Sequence, residues 1–239
     1  MTNLQVRRRG RVPTISRESV ARAAIGLGFE DLTMSTVAAS LGVKHSSLYR
    51  HVGSRDDLVS MAIDLMASEA KWPTPGADWR EYLEKFTDVM WTMYEEFPGV
   101  APELQRLPAP PSSVVYIFAA STEALIDFGF DPESAVLIVD TISDLTIDSY
   151  MNAYRLRISR MKPLKPEAVS QTRFAQNPPG PLNVKNPDGL EKLLSLAFDT
   201  DGKAWWLRKR ALLLDGISAR LSSNPPGSEF VLGGPTEAG

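Results

Sequence analysis

The residues with most to offer chemically stand together at 44–50: Lys44, His45, Ser46, Ser47, Tyr49 and Arg50. With Leu48 and Val52 turned inward at helical spacing, His45, Ser46, Tyr49 and Arg50 are left on the outer face. Imidazole and hydroxyl groups at the start of a short exposed helix offer donors and acceptors to base edges, and Tyr49 adds a hydroxyl on a rigid ring. An ordinary helical hairpin with a polar outer face fits the same pattern. A second set is acidic. Asp140, Asp144 and Asp148 recur at four-residue spacing, where like charges repel mildly and invite Arg, Lys, water, or a metal or cationic ligand. A third set, Met90, Trp91, Tyr94, Tyr116, Phe118 and Tyr150, is either plain core or a polarizable lining for a small-molecule effector. Catalysis is poorly supplied: there is no cysteine, no histidine besides His45 and His51, no phosphate-binding glycine loop and no metal-ligand spacing. No enzyme, catalytic residue, cofactor or bound metal is expected.

These groups need elements to hold them, and the chain reads as helical throughout. Ser16 caps a first helix with Val20, Ala24 and Leu27 inward, and Gly28 stops it. Thr33 caps a second, with Val37, Ala38 and Leu41 inward. Gly42 then makes a turn that favours a residue at positive φ. A third helix runs from about Lys44 to Gly53, with His51 packed between it and the fourth. Ser54 caps that fourth helix, to about residue 68, with Asp56 and Asp57 in the first turn where the helix dipole favours anions. Its stripe is Leu58, Met61, Ala62, Leu65 and Met66. Pro73, Pro75 and Gly76 mark a boundary.

Beyond it, helices are expected over 78–97, 113–128, 131–161, 188–198 and 202–222, with at most one helical turn in the proline-broken stretch 98–111. The segment 113–128 is apolar nearly all round and reads as a buried central helix. Six prolines make 162–187 a long loop, and the Ser/Pro/Gly-rich end, 223–239, a disordered tail. The fold class is all-α: an N-terminal helix-turn-helix three-helix domain at 16–68, joined by a long helix to a larger helical ligand-binding and dimerisation domain at 76–222. Residues 1–15 form a basic arm.

A net charge of −3 looks unsuited to nucleic acid until it is divided. Residues 1–58 carry nine Lys and Arg against five Asp and Glu, or +4; the remaining 17 bases and 24 acids put the rest at −7. A DNA-facing end and an acidic body explain that asymmetry, as does a merely basic tail. The arm Arg7, Arg8, Arg9, Gly10, Arg11 either enters a flanking minor groove or adds nonspecific affinity. No uninterrupted apolar run is long enough to span a membrane and no signal-peptide core follows the basic start. A cytoplasmic protein without membrane association is expected.

The run GFEDLTMSTVAASLGV at 28–43, followed by SLYRHV at 47–52, resembles the DNA-binding domain of TetR-family regulators. The Leu-Thr opening, the Leu-Gly-Val turn and Leu-Tyr-x-His-Val are most similar to its tetracycline-repressor branch. The resemblance implies that Ser35, His45 and Ser46 approach base edges, and that Thr33, Ser47, Tyr49, Arg50 and Arg55 contact phosphate. Lys44 joins them as a DNA contact. Tetracycline repressors read a base with arginine where this chain has Ser35, so the operator should differ. The resemblance also implies a homodimer on double-stranded DNA, formed by the 132–161 and 202–222 helices. Trp205, Leu207, Leu213, Leu214, Ile217 and Leu221 supply more apolar surface than one internal face needs. The implied function is a repressor released from a palindromic operator by a small molecule. A regulator controlled by a protein partner, or an activator, is the alternative. The tetracycline branch binds its metal through a histidine in the ligand domain, and this body has none.

Overall fold

The computed structural model describes residues 15–161 and 201–223, which are helical apart from their turns and connections. The basic arm before Ile15, the 162–187 loop, the 188–198 helix and the tail beyond Ser223 lie outside the described residues. Among the described residues nine helices follow in order: α1 Arg17–Leu27, α2 Met34–Ser40, α3 His45–Leu48, α4 Arg55–Glu69, α5 Trp79–Glu96, α6 Val100–Arg106, α7 Ser112–Asp127, α8 Pro132–Met161 and α9 Gly202–Ser223. The all-α expectation holds.

The chain divides into two compact units. One takes the described residues up to Glu69 together with Phe97–Val114; the other takes Ala70–Glu96 and the described residues from Val115 onward.

In the first unit α1 packs on α4 and on α2, α2 packs on α3, and α6 packs on α4. Val20, Phe29, Val37, Leu48, Leu58 and Ile63 are fully buried. Because α4 meets α1 and α6, its buried set is wider than one stripe and includes Val59, Ile63 and Ala67, while Met61 and Leu65 are only half-buried. Leu27, expected inward, is exposed. α6 exceeds the single turn expected. Pro102 sits in its first turn, where a missing N–H costs nothing, so the helix runs on for seven residues. Its N-cap, Gly99, has φ +93, and a side chain there would stand 3.0 Å from Phe29 Cβ. Glycine is needed twice over, for the backbone and for the approach.

The second unit is built on α5, α8 and α9. Trp91 of α5 stacks on Trp206 of α9 with centroids 4.5 Å apart, and Tyr150 of α8 meets Trp91 edge-on. The Tyr150 hydroxyl donates to the Tyr94 carbonyl at 2.6 Å. α7 corrects one expectation. Its Ser121, Thr122, Ala124 and Leu125 are buried, but Val115, Tyr116 and Ile126 are exposed, Tyr116 by 75%. An apolar helix has more than one face to cover, and the other described residues cover only part of α7.

Gly202, the first residue of α9, lets that helix press onto α8: a Cβ there would lie 2.3 Å from Ala153 Cβ and 3.2 Å from its Cα. Those atoms belong to a short, stiff side chain and to backbone, so neither yields cheaply. Gly202→Ala is expected to destabilise the protein by about 1–3 kcal/mol through overpacking. Adding Ala153→Gly should recover most of that in a denaturant melt; no recovery in the double variant would refute the contact.

Candidate nucleic-acid interface and ligand pocket

The reading face is set by local hydrogen bonds. Thr33 Oγ1 accepts from the Thr36 N–H at 3.1 Å and Thr36 Oγ1 accepts from the Thr33 N–H at 3.0 Å, a reciprocal cap that starts α2. At its other end the Val43 N–H donates to the Ala38 carbonyl at 3.0 Å and the Gly42 N–H to Ala39 at 3.1 Å. Those two bonds, with Gly42 at φ +65, make the Schellman turn that ends α2 and launches α3. α3 is helical only over His45–Leu48, and the chain continues in tight turns, with the Val52 N–H on the Leu48 carbonyl at 3.1 Å. Arg17 of α1 donates to the His51 carbonyl at 2.8 Å and fixes the end of that segment. His51 itself is half-buried.

Ser35, Lys44, His45, Ser46, Tyr49 and Arg50 are all exposed, and Ser47 is half-buried. His45 and Tyr49, one turn apart, meet edge-to-face at 5.1 Å. Imidazole and phenol therefore stand side by side with their polar atoms available. Thr33 is placed differently, since its hydroxyl donates to Thr36 Oγ1 at 3.1 Å besides accepting.

Arg55 is also committed within the unit. Its Nε donates to the Leu32 carbonyl at 2.9 Å, and its two terminal nitrogens grip Glu103 of α6 at 2.9 and 2.7 Å. Arg106 reaches Glu103 at 2.9 Å and Asp56 at 2.6 Å. Partial burial pushes the Glu103 carboxyl up, but hydrogen bonds from Arg55 and Arg106 outweigh it and hold the group below the usual carboxylate range. Glu103 and Arg106 were invisible to motif reading. Arg55 and Glu103 are 48 residues apart, and no local pattern links them.

The second unit holds a partly open pocket of about 400 Å³. Of the aromatic residues singled out from sequence, Trp91 and Tyr150 line it; Met90, Tyr94, Tyr116 and Phe118 are not on its wall. Met90 and Tyr94 are buried, and burial drives the Tyr94 phenol well above its ordinary pKa. The structure adds Tyr154, Arg157 and the ion pair Lys203–Glu95, 3.0 Å long. Sequence gave no signal for these, because the wall combines one helix end with residues from two others.

On α8, Asp140, Asp144 and Asp148 are exposed along one face. Desolvation, with the charges of Asp140 and Asp148 adding to it, raises the Asp144 pKa. Among the described residues no helix is long and apolar enough to cross a membrane.

Residues 20–62 match the profile of bacterial regulatory proteins of the tetR family. The chain is 29% identical over 141 residues to the HTH-type transcriptional repressor DrrR1 of Streptomyces coeruleorubidus, covering 55% of this chain and 52% of that protein. It is 26% identical over 128 residues to the class E tetracycline repressor protein of Escherichia coli, covering 52% of this chain and 60% of the other. The chain thus spans between half and three fifths of the curated relatives it matches. Among solved structures, the TetR family protein ActR of Streptomyces coelicolor in complex with actinorhodin is similar, with a TM-score of 0.67 at 19% identity, over 87% of this chain and 97% of ActR.

Proposed function

We propose that this chain, a TetR-family transcriptional regulator by its N-terminal domain, is a dimeric repressor released from a palindromic operator by a small molecule. One observation carries the DNA half. Within the segment that matches the family, a glycine turn presents an exposed row of hydrogen-bonding side chains on a short helix. Ser35, His45 and Ser46 are the base readers in this reading, and Lys44, Ser47, Tyr49 and Arg50 hold phosphates. Thr33 and Arg55, already bonded within the unit, position the reading helices instead. His45→Ala should weaken operator binding by about 1–3 kcal/mol and relax preference at one base position. The check is a binding titration against a set of singly substituted operators; an unchanged base preference would remove His45 from the readers.

The effector half is supported by the pocket. ActR is known in complex with actinorhodin, and DrrR1 and the class E protein are repressors. A ligand that favours one setting of the reading helices and DNA that favours another must oppose each other by linkage. Magnesium–tetracycline is not the effector in this reading, although the helix-turn-helix motif resembles that branch, because both histidines lie at 45 and 51. Dimerisation is assigned to the α8 and α9 faces that carry exposed Val136, Leu137, Leu207 and Leu212. A mobility shift on genomic fragments selected by the protein, with and without candidate ligands, tests the whole reading. Undiminished DNA binding at saturating bound ligand would refute effector control.

A further inference from the structure

We infer that Arg17, the first residue of α1, binds a DNA phosphate beside the end of the reading segment. The inference rests on the reading that the exposed row at 44–50 meets DNA. It comes from sorting the cations of the first unit by what neutralises them. Among the described residues that unit carries Arg17, Arg22, Lys44, Arg50, Arg55 and Arg106. Three are tied to carboxylates inside the unit: Arg22 by Glu18 and Glu69, Arg55 by Glu103, and Arg106 by Asp56 and Glu103. The other three form no ion pair with a described residue, and they share one place. Lys44 is the N-cap of α3, Arg50 follows the end of that helix, and Arg17 donates to the carbonyl of His51, the next residue. Arg17 and His51 are 34 residues apart, so no local motif joins them.

Uncompensated charge gathered at one place raises the local potential and draws an anion. Of the N–H donors on the Arg17 guanidinium, one is spent on the His51 carbonyl at 2.8 Å, and no described residue accepts from the rest. The side chain is exposed, which leaves those donors open to a ligand. Its tether to His51 also removes rotational freedom before DNA arrives, so less is lost in gripping an anion. Position selects a phosphate over a base. A reading helix aims its N-terminal residues at base edges, so His45 and Ser46 take the groove and the far end, where Arg17 attaches, is left to the backbone. Phosphate oxygens there can accept from two guanidinium nitrogens at once.

Salt titrations read such a contact directly, because each phosphate neutralised adds about one to the slope of log affinity against log salt. They use the full chain on two probes, the genomic fragment that it selects and a mixed-sequence duplex. Arg17→Gln should lower the slope by about two for a dimer, one contact per copy, on both probes. Affinity should fall about ten- to thirty-fold at about 0.15 M salt, with base preference unchanged. Arg17→Lys, which restores the charge, should restore the slope. Arg22→Gln should leave it unaltered, since Glu18 and Glu69 already neutralise that cation on the same helix. An undiminished slope in Arg17→Gln overturns the assignment and leaves Arg17 a strut for the His51 carbonyl; an equal drop in Arg22→Gln overturns it too. If Arg17→Gln fails to fold, phenylglyoxal labelling of the unaltered protein decides. Either duplex should shield Arg17 and leave Arg22 reactive, and an unshielded Arg17 overturns the assignment. A protein that binds neither duplex refutes the DNA reading as a whole. Base-selective binding with a slope independent of Arg17 refutes this inference alone.

Discussion

On the proposed dimeric reading, Leu212→Glu is expected to leave the protein a monomer and to abolish high-affinity operator binding. On α9 Leu212 is 76% exposed and Leu207 39%, while Val136 and Leu137 are exposed on the neighbouring α8. Four large apolar side chains on one pair of packed helices are a surface that water disfavours and a second copy would cover. In a two-fold interface each substitution acts twice. Losing a buried leucine costs roughly 1.5–3 kcal/mol per copy, so the dimer loses about 3–6 kcal/mol before the carboxylate is counted. The carboxylate adds to it, because Asp140, Asp144 and Asp148 already crowd α8 with negative charge. A single helix-turn-helix reads only a few base pairs, so the DNA loss should exceed that of any one contact variant. Light scattering gives the mass and a binding titration the affinity. A dimer that persists in Leu212→Glu would show that other surfaces join the copies.

The second large effect lies in the core. Arg210→Ala should destabilise the protein by about 2–4 kcal/mol, mostly through bonds made where water is absent. Arg210 is 8% exposed. Its Nη1 donates to the Glu84 carbonyl at 3.0 Å, to Thr87 Oγ1 at 2.9 Å and to Asp88 at 2.7 Å. Its guanidinium also lies 4.7 Å from the centre of the fully buried Trp206 ring. The Asp88 contact is the least of these, because that side chain is 55% exposed and solvent screens the pair. Asp88→Asn should therefore be mild, and Arg210→Lys should fall between, since an ammonium keeps the charge but not the planar stack. Urea titration of the three variants checks the order. Equal losses from Asp88→Asn and Arg210→Ala would mean that the ion pair, not the buried bonds, carries the energy.

Arg210 also shows where sequence reading stops. In the run WWLRKRALLL, three cations in sequence look like a solvent face, and only the packing of α9 on α5 and α8 selects the third for burial. The α2–α3 turn was legible because everything that makes it lies within ten residues: Thr33 with Thr36, Ala38 with Val43, and Gly42 between helices. The exposed or half-exposed positions of the seven residues proposed to contact DNA follow from that turn and from the burial of Leu48. For Arg55 the resemblance implies a phosphate contact, and nothing in the local sequence shows that Glu103, 48 residues on, grips its guanidinium from α6. The pocket was half legible. Trp91 and Tyr150 carry aromatic character in sequence, but Arg157, Lys203 and Glu95 are ordinary surface charges until the helices meet.

The composition of the first unit has a practical meaning for anyone exchanging reading heads between regulators. A fragment ending at Glu69 contains the whole helix-turn-helix but severs three ties. Arg55 loses Glu103, Asp56 loses Arg106, and Asp64 loses the Ser113 N–H that it holds at 2.6 Å. The face of α4 that packs on α6 also loses its cover in such a fragment. The portable module is therefore discontinuous in sequence, and a graft that means to keep the reading helices in register must carry residues 97–114 along with the head.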